Sequence, residues 1–145
     1  MEDVVLPETP TPVETEIPGQ TLAIVAESLY LANPLLIPGL GFIGLAVLFL
    51  RIDRNTPPLA VAHLNQTFFA SLWAGVLLVV VNLGILLLGG YRGPNVWMAV
   101  IIYFTLCHST LILVGMLGLA KAMAGKCYRF PLIGRALPVE CKGLT

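Results

Sequence analysis

Leu64–Leu88 reads LNQTFFASLWAGVLLVVVNLGILLL and contains no Asp, Glu, Lys or Arg. A helix of that length is longer than the roughly 20 residues that cross a bilayer's hydrocarbon core. The poverty of charge continues outward in both directions. Between Ser28 and Ala120 the only charged side chains are Arg51, Asp53, Arg54 and Arg92. A water-soluble domain covers itself with charged and polar groups, and this stretch has too few to do so. The sequence therefore predicts a chain that lives in lipid.

The four charges fall in two short turns, and these divide the apolar stretch. Arg51-Ile52-Asp53-Arg54-Asn55-Thr56-Pro57-Pro58 is a polar loop, and Gly89-Gly90-Tyr91-Arg92-Gly93-Pro94-Asn95 is a tight turn by its glycines and proline. The pattern predicts an all-α membrane protein with three transmembrane helices, at about 35–50, 64–88 and 96–120. A short interfacial or re-entrant helix at 20–32 comes first. Asn33-Pro34 and Pro38-Gly39 separate it from the first span, since proline deletes a backbone bond and disfavours helix at the preceding residue. One long kinked helix over 20–50 is the alternative. The membrane domain is thus 21–120, flanked by an acidic, proline-rich extended arm (1–20) and a basic tail (121–145).

Arm and tail set an expected orientation. The arm holds five acids and no Lys or Arg; the tail carries Lys121, Lys126, Arg129, Arg135 and Lys142. With three spans, the positive-inside rule puts the first loop and the tail in the cytoplasm of a bacterial inner-membrane protein, with the amino terminus outside. Met1 is followed by Glu2 and Asp3, unlike the positive start of a secretory signal. The acids and prolines of the arm cannot build a core, so the arm is expected to lie across a partner subunit. Cys107, Cys127 and Cys141 are too scattered for a disulfide framework and are expected as free thiols.

Few residues suggest chemistry. His108 sits at the centre of the third predicted span among Thr105, Cys107, Ser109 and Thr110. Polar groups there are costly and face protein or water. It is either a haem ligand, a metal ligand or a proton relay, or a neutral imidazole bonded across a helix interface. His63 opens the second span, so the two histidines differ in depth by roughly 18 Å at about 1.5 Å per residue. One haem iron cannot bind both, and a haem or quinone on His108 would need a partner. His63 with Asn65 and Gln66 forms a polar start to its span, and Tyr128-Arg129-Phe130-Pro131 suits the membrane interface. His63, Gln66, Tyr128 and Arg129 are therefore expected to contact a partner or lipid. Ser71 with Gly75, Ala70 with Ala74 and Gly118 with Ala122 are spaced by four and favour close helix approach.

Three segments together resemble a known family: Leu48–Asp53 (LFLRID), Ala62–Phe69 (AHLNQTFF) and Ala120–Pro131 (AKAMAGKCYRFP). They are similar to a large bacterial family of small, mostly uncharacterised membrane proteins, akin to the plastid inner-envelope import component of the Tic complex. Here Phe130 stands where that family tends to have a second tyrosine. The resemblance implies a helical membrane fold without known catalysis, and a pore or translocation role as one reading. A net charge of zero gives no field to hold nucleic acid. No P-loop, dinucleotide fingerprint, paired carboxylates or nucleophile with an adjacent base stands out. The expected function is a non-catalytic auxiliary subunit of a larger membrane complex, with lipids and other integral subunits as partners and no metal or cofactor of its own. A membrane anchor of a redox complex is the alternative.

Overall fold

A computed structural model describes residues 17–36, 38–131 and 133–143, and the described residues contain helices and turns but no strand. The expectation that the acidic arm lies on a partner concerns residues 1–16 and falls outside them. Four helices follow in order: α1 (Gln20–Leu35), α2 (Leu40–Leu50), α3 (Pro58–Leu87) and α4 (Val96–Met123). Short 3-10 turns occupy Gly90–Arg92 and Val139–Gly143.

Two of the four helices, α3 and α4, are long and apolar enough to cross a membrane. At about 1.5 Å per residue they measure roughly 45 and 42 Å. The expected third span, 35–50, is not among them. Its helical part, α2, has 11 residues, roughly 16 Å, about half of a hydrocarbon core. The Pro38-Gly39 turn takes the rest: Gly39 adopts a φ of 89° that only glycine takes freely. Asn33 ties this turn down, its Oδ1 accepting from the Gly39 and Phe42 amides at 2.8 and 3.3 Å.

In place of a span, α1 and α2 form a hairpin wedged between the first half of α3 and the last half of α4. Gln20, Ala23, Glu27 and Tyr30 recur at i, i+3, i+7 and i+10, one face of a helix. Ala23, Glu27 and Tyr30 are buried on it, while Gln20 Nε2 donates to the Met123 carbonyl at 2.7 Å. Glycines admit this face. A Cβ at Gly115 would stand 2.6 Å from the Tyr30 ring. On the other side Phe42 and Phe49, one heptad apart on α2, stack on Phe68 of α3 at 5.6 and 4.3 Å. Gly41 brings the two hairpin helices together, since its Cβ position lies 2.5 Å from the Leu29 carbonyl oxygen.

The wedge also corrects the expected placement of the ends. The Cβ position of Gly19 lies against Pro57 and Ala60, and Gln20 bonds to Met123. The first described residues therefore sit at the same end of the molecule as the tail, not at the end of the Gly89–Asn95 turn. Burial follows the wedge. In α3 the buried positions run from Leu59 to Ser71, and in α4 from Val114 to Ala122. Beyond these, the two long helices are largely exposed.

Candidate functional site

The closed end is built around an acid that no local pattern singles out. Glu27 is fully buried, and its Oε1 lies 2.6 Å from His63 Nδ1. The other ring nitrogen, His63 Nε2, lies 3.0 Å from the Lys126 carbonyl oxygen. A carbonyl only accepts, so Nε2 carries a hydrogen and donates it. Nδ1 then faces a carboxyl oxygen, and without a hydrogen between them two lone pairs would meet at hydrogen-bond distance. Glu27 and His63 therefore hold one proton in common. The second carboxyl oxygen, Oε2, is buried with no hydrogen-bond partner. A bare buried oxygen costs a carboxylate far more than it costs a neutral acid. Burial pushes the Glu27 carboxyl above its usual range, and the hydrogen bond and charge of His63 only partly oppose this. The arrangement favours a neutral acid donating to a neutral imidazole.

Space for the carboxyl comes from Gly118. A Cβ there would stand 2.6 Å from Glu27 Cδ and Oε1, and closer still to Oε2. The residue reads in sequence as part of a small-residue packing face; in the structure it houses an acid.

The tail folds back over this site. Gln66 captures it through both ends of its amide: Nε2 donates to the Arg135 carbonyl at 2.8 Å and Oε1 accepts from the Arg135 amide at 3.0 Å. The Arg135 guanidinium lies 4.1 Å above the Phe69 ring. Phe130 is buried edge-on against Tyr30 at 5.6 Å, and the Tyr30 hydroxyl donates to the Leu111 carbonyl at 3.1 Å. Cys127 and Cys141, expected as free thiols, are joined by a disulfide, because the turn around Pro131 brings their Cα atoms to 5.7 Å. Cys107 is free.

Two of the four expected contact residues, His63 and Gln66, are buried, while Tyr128 and Arg129 keep exposed surface. His63 and Gln66 do not face a partner or lipid; both are buried and bonded within the chain. Arg129 is exposed, but its Nε donates to the Gly134 carbonyl at 3.0 Å and holds the tail's own turn. Tyr128 packs beside Phe130 at 5.8 Å. What the sequence lacked was any sign that the tail returns to the bundle.

His108 lies elsewhere, in a cleft between α3 and α4 with a volume of about 720 Å³. Asn33, Pro34, Pro38 and Gly39 of the hairpin tip line it; Ser71, Gly75 and Val79 form one wall and Phe104, Cys107 and His108 the other. His108 stacks on Phe104 at 4.8 Å. Ser71 is 6% exposed, and its hydroxyl has no partner. Three other polar side chains of the long helices close on their own backbone: Thr67 on His63, Asn82 on Leu78 and Thr110 on Leu106. Cβ positions at Gly41, Gly115 and Gly118 collide with a neighbour, whereas those at Gly75 and Gly84 on α3 meet nothing within 4 Å. Among the described residues no group of three or more His, Cys, Asp or Glu could hold a metal ion.

No family model matches this chain, and neither the curated proteins nor the solved structures contain a match.

Proposed function

We propose that this chain is a non-catalytic subunit of a larger membrane complex, and that the α3/α4 cleft receives a transmembrane helix of a neighbouring subunit. The observation that carries this reading is Ser71 beside Gly75. A buried hydroxyl without a partner costs free energy that a lipid tail cannot return. A glycine in a helix costs about 1 kcal/mol relative to alanine and is useful where another backbone approaches closely. The two are four residues apart on one wall, so one incoming helix satisfies both. His108 and Cys107 on the opposite wall then complete the contact. In this reading α3 and α4 cross the membrane and α1–α2 is re-entrant. Arg51, Arg54, Lys121, Lys126, Arg129 and Arg135 lie at one end and Arg92 at the other, so that end faces the cytoplasm of a bacterial inner membrane by the positive-inside rule.

A photocrosslinker at Val79, activated in native membranes, tests the proposal. The expected result is one discrete protein adduct that disappears when Gly75→Leu fills the approach and weakens with Ser71→Val. Adducts to lipid only, or an adduct indifferent to Gly75→Leu, would sink it. A second reading rests on His108 stacked in a cleft whose volume falls within the range of small-molecule sites: a redox-complex component whose cleft takes a quinone-type head group. Loss of electron flux on His108→Ala, with the adduct retained, would favour it.

A further inference from the structure

We infer that Glu27 and His63 form a buried proton-binding site whose occupancy latches the tail onto the membrane domain. The chain of contacts is continuous. The shared proton joins Glu27 Oε1 to His63 Nδ1 at 2.6 Å, and the same ring holds the Lys126 carbonyl at 3.0 Å. Lys126 is where the chain leaves α4 and turns back, one residue before Cys127 starts the disulfide-closed loop. When the proton leaves, a carboxylate faces an imidazole lone pair, and the ring must rotate. Rotation withdraws Nε2–H from Lys126 and frees the start of the returning tail.

The surroundings leave the pair to titrate largely by itself. On α1 the nearest titratable group is Tyr30, whose hydroxyl is committed to Leu111. The face of α4 against the carboxyl is Gly118, which carries no side chain. The tail presents the backbone carbonyl of Lys126 to the ring. Among the described residues the Glu27–His63 pair is the one acid–base contact within 4 Å. Burial raises the Glu27 carboxyl, which has the same sense: a raised acid contributes below its ordinary range, and the contribution is lost as pH rises through its folded value.

The pH dependence follows from counting protons. With the tail docked, the pair holds one proton. With the tail released and both groups in water, an ordinary imidazole and carboxylate together hold no proton above about pH 6.5. Release then frees one proton, and the docked-to-open ratio falls about tenfold for each pH unit above that point. Glu27→Gln removes the dependence. The side-chain amide of that variant donates to Nδ1 without a titrating proton, and a neutral His63 still donates to Lys126.

Two measurements on the full chain in lipid nanodiscs test the latch. In the first, hydrogen exchange of the segment 127–141 is followed from about pH 6 to 9 and corrected for intrinsic rates. Protection is expected to fall about tenfold per unit in the wild type and to stay level in Glu27→Gln. Equal slopes in both would overturn the proposal. In the second, which needs no folded variant, 15N spectra of ring-labelled histidine are recorded, with His108 assigned through His108→Gln. The His63 ring is expected to carry its hydrogen on Nε2 while the tail is docked. A docked ring with a bare Nε2 would overturn it. His63 and Ser71 are eight residues apart on α3, roughly 12 Å, and share no hydrogen bond, so the latch stands or falls independently of helix docking in the cleft.

Discussion

Gly118→Ala is the sharpest perturbation available at the closed end, because it adds one methyl group against one carboxyl. That methyl would stand 2.6 Å from Glu27 Cδ and Oε1, where carbon contacts settle at about 3.5–4.0 Å. The carboxyl must therefore withdraw by about 1 Å. Its bond to His63, now 2.6 Å, then lengthens to about 3.6 Å and ceases to be a hydrogen bond. Two costs add. Overpacking a tight interior costs about 1–3 kcal/mol, and stranding a buried polar group costs about 1–3 more. The sum, about 2–6 kcal/mol, is a large share of an ordinary domain's 5–15. Thermal unfolding in detergent should show a marked loss for Gly118→Ala. Gly75→Ala serves as the control, since its methyl meets nothing within 4 Å and helix propensity alone favours alanine by about 1 kcal/mol. The effect should also be non-additive. In a Glu27→Ala background the carboxyl is gone, and Gly118→Ala should cost little more. If Gly118→Ala melts with Gly75→Ala, or if the double variant is simply the sum of its parts, the assignment of Gly118 as the carboxyl's housing is wrong.

Two further predictions concern the tail. Gln66→Leu removes both bonds to Arg135 and leaves the Arg135 amide and carbonyl to find water, so it should cost about 1–3 kcal/mol and expose the tail to trypsin at Arg135; unchanged cleavage would refute the clasp. Cys127→Ser with Cys141→Ser opens a loop of 14 residues and should cost about 3 kcal/mol under oxidising conditions and nothing once the wild type is reduced. If the basic end faces the cytoplasm, rapid alkylation of intact cells should find these two cysteines largely as thiols; a fully oxidised pair would reverse the orientation.

The long helices were legible because their signal is one-dimensional. Charge-free runs bounded by Arg54 and Arg92 need only a count of residues to be recognised as membrane-length helices. The α1–α2 hairpin was half legible: Asn33-Pro34 and Pro38-Gly39 announced a break, but nothing local says how the two helices it separates pack. That choice belongs to Gly41, Gly115 and Gly118, which admit the hairpin from three places in the sequence. The candidate site was largely hidden for the same reason. Glu27 lies 36 residues from His63, and Gln66 lies 69 from Arg135. Each side chain taken alone reads as an interfacial group, and only the returning tail makes it an interior one. Tyr30 and Phe130 were hidden likewise, since an aromatic residue near a membrane boundary suits the interface as well as a core.

The distribution of polar contacts along α1 also explains how a short helix keeps its depth between two longer ones. Apolar packing in lipid has no hydrophobic drive, and van der Waals contact alone lets helices slide past each other at little cost. Directional bonds resist that sliding. Gln20 to Met123, Glu27 to His63 and Tyr30 to Leu111 anchor one face of α1 at three levels, to α4, α3 and α4 in turn. A slip of one turn would move α1 by about 5.4 Å and break all three at once. An apolar substitute at Glu27 would pack, but it would remove the middle anchor and release the tail through His63. The same polar residue thus sets the depth of the wedge and holds the tail. With the wedge held, its tip residues Asn33, Pro34, Pro38 and Gly39 stop in the cleft lined by Ser71 and His108.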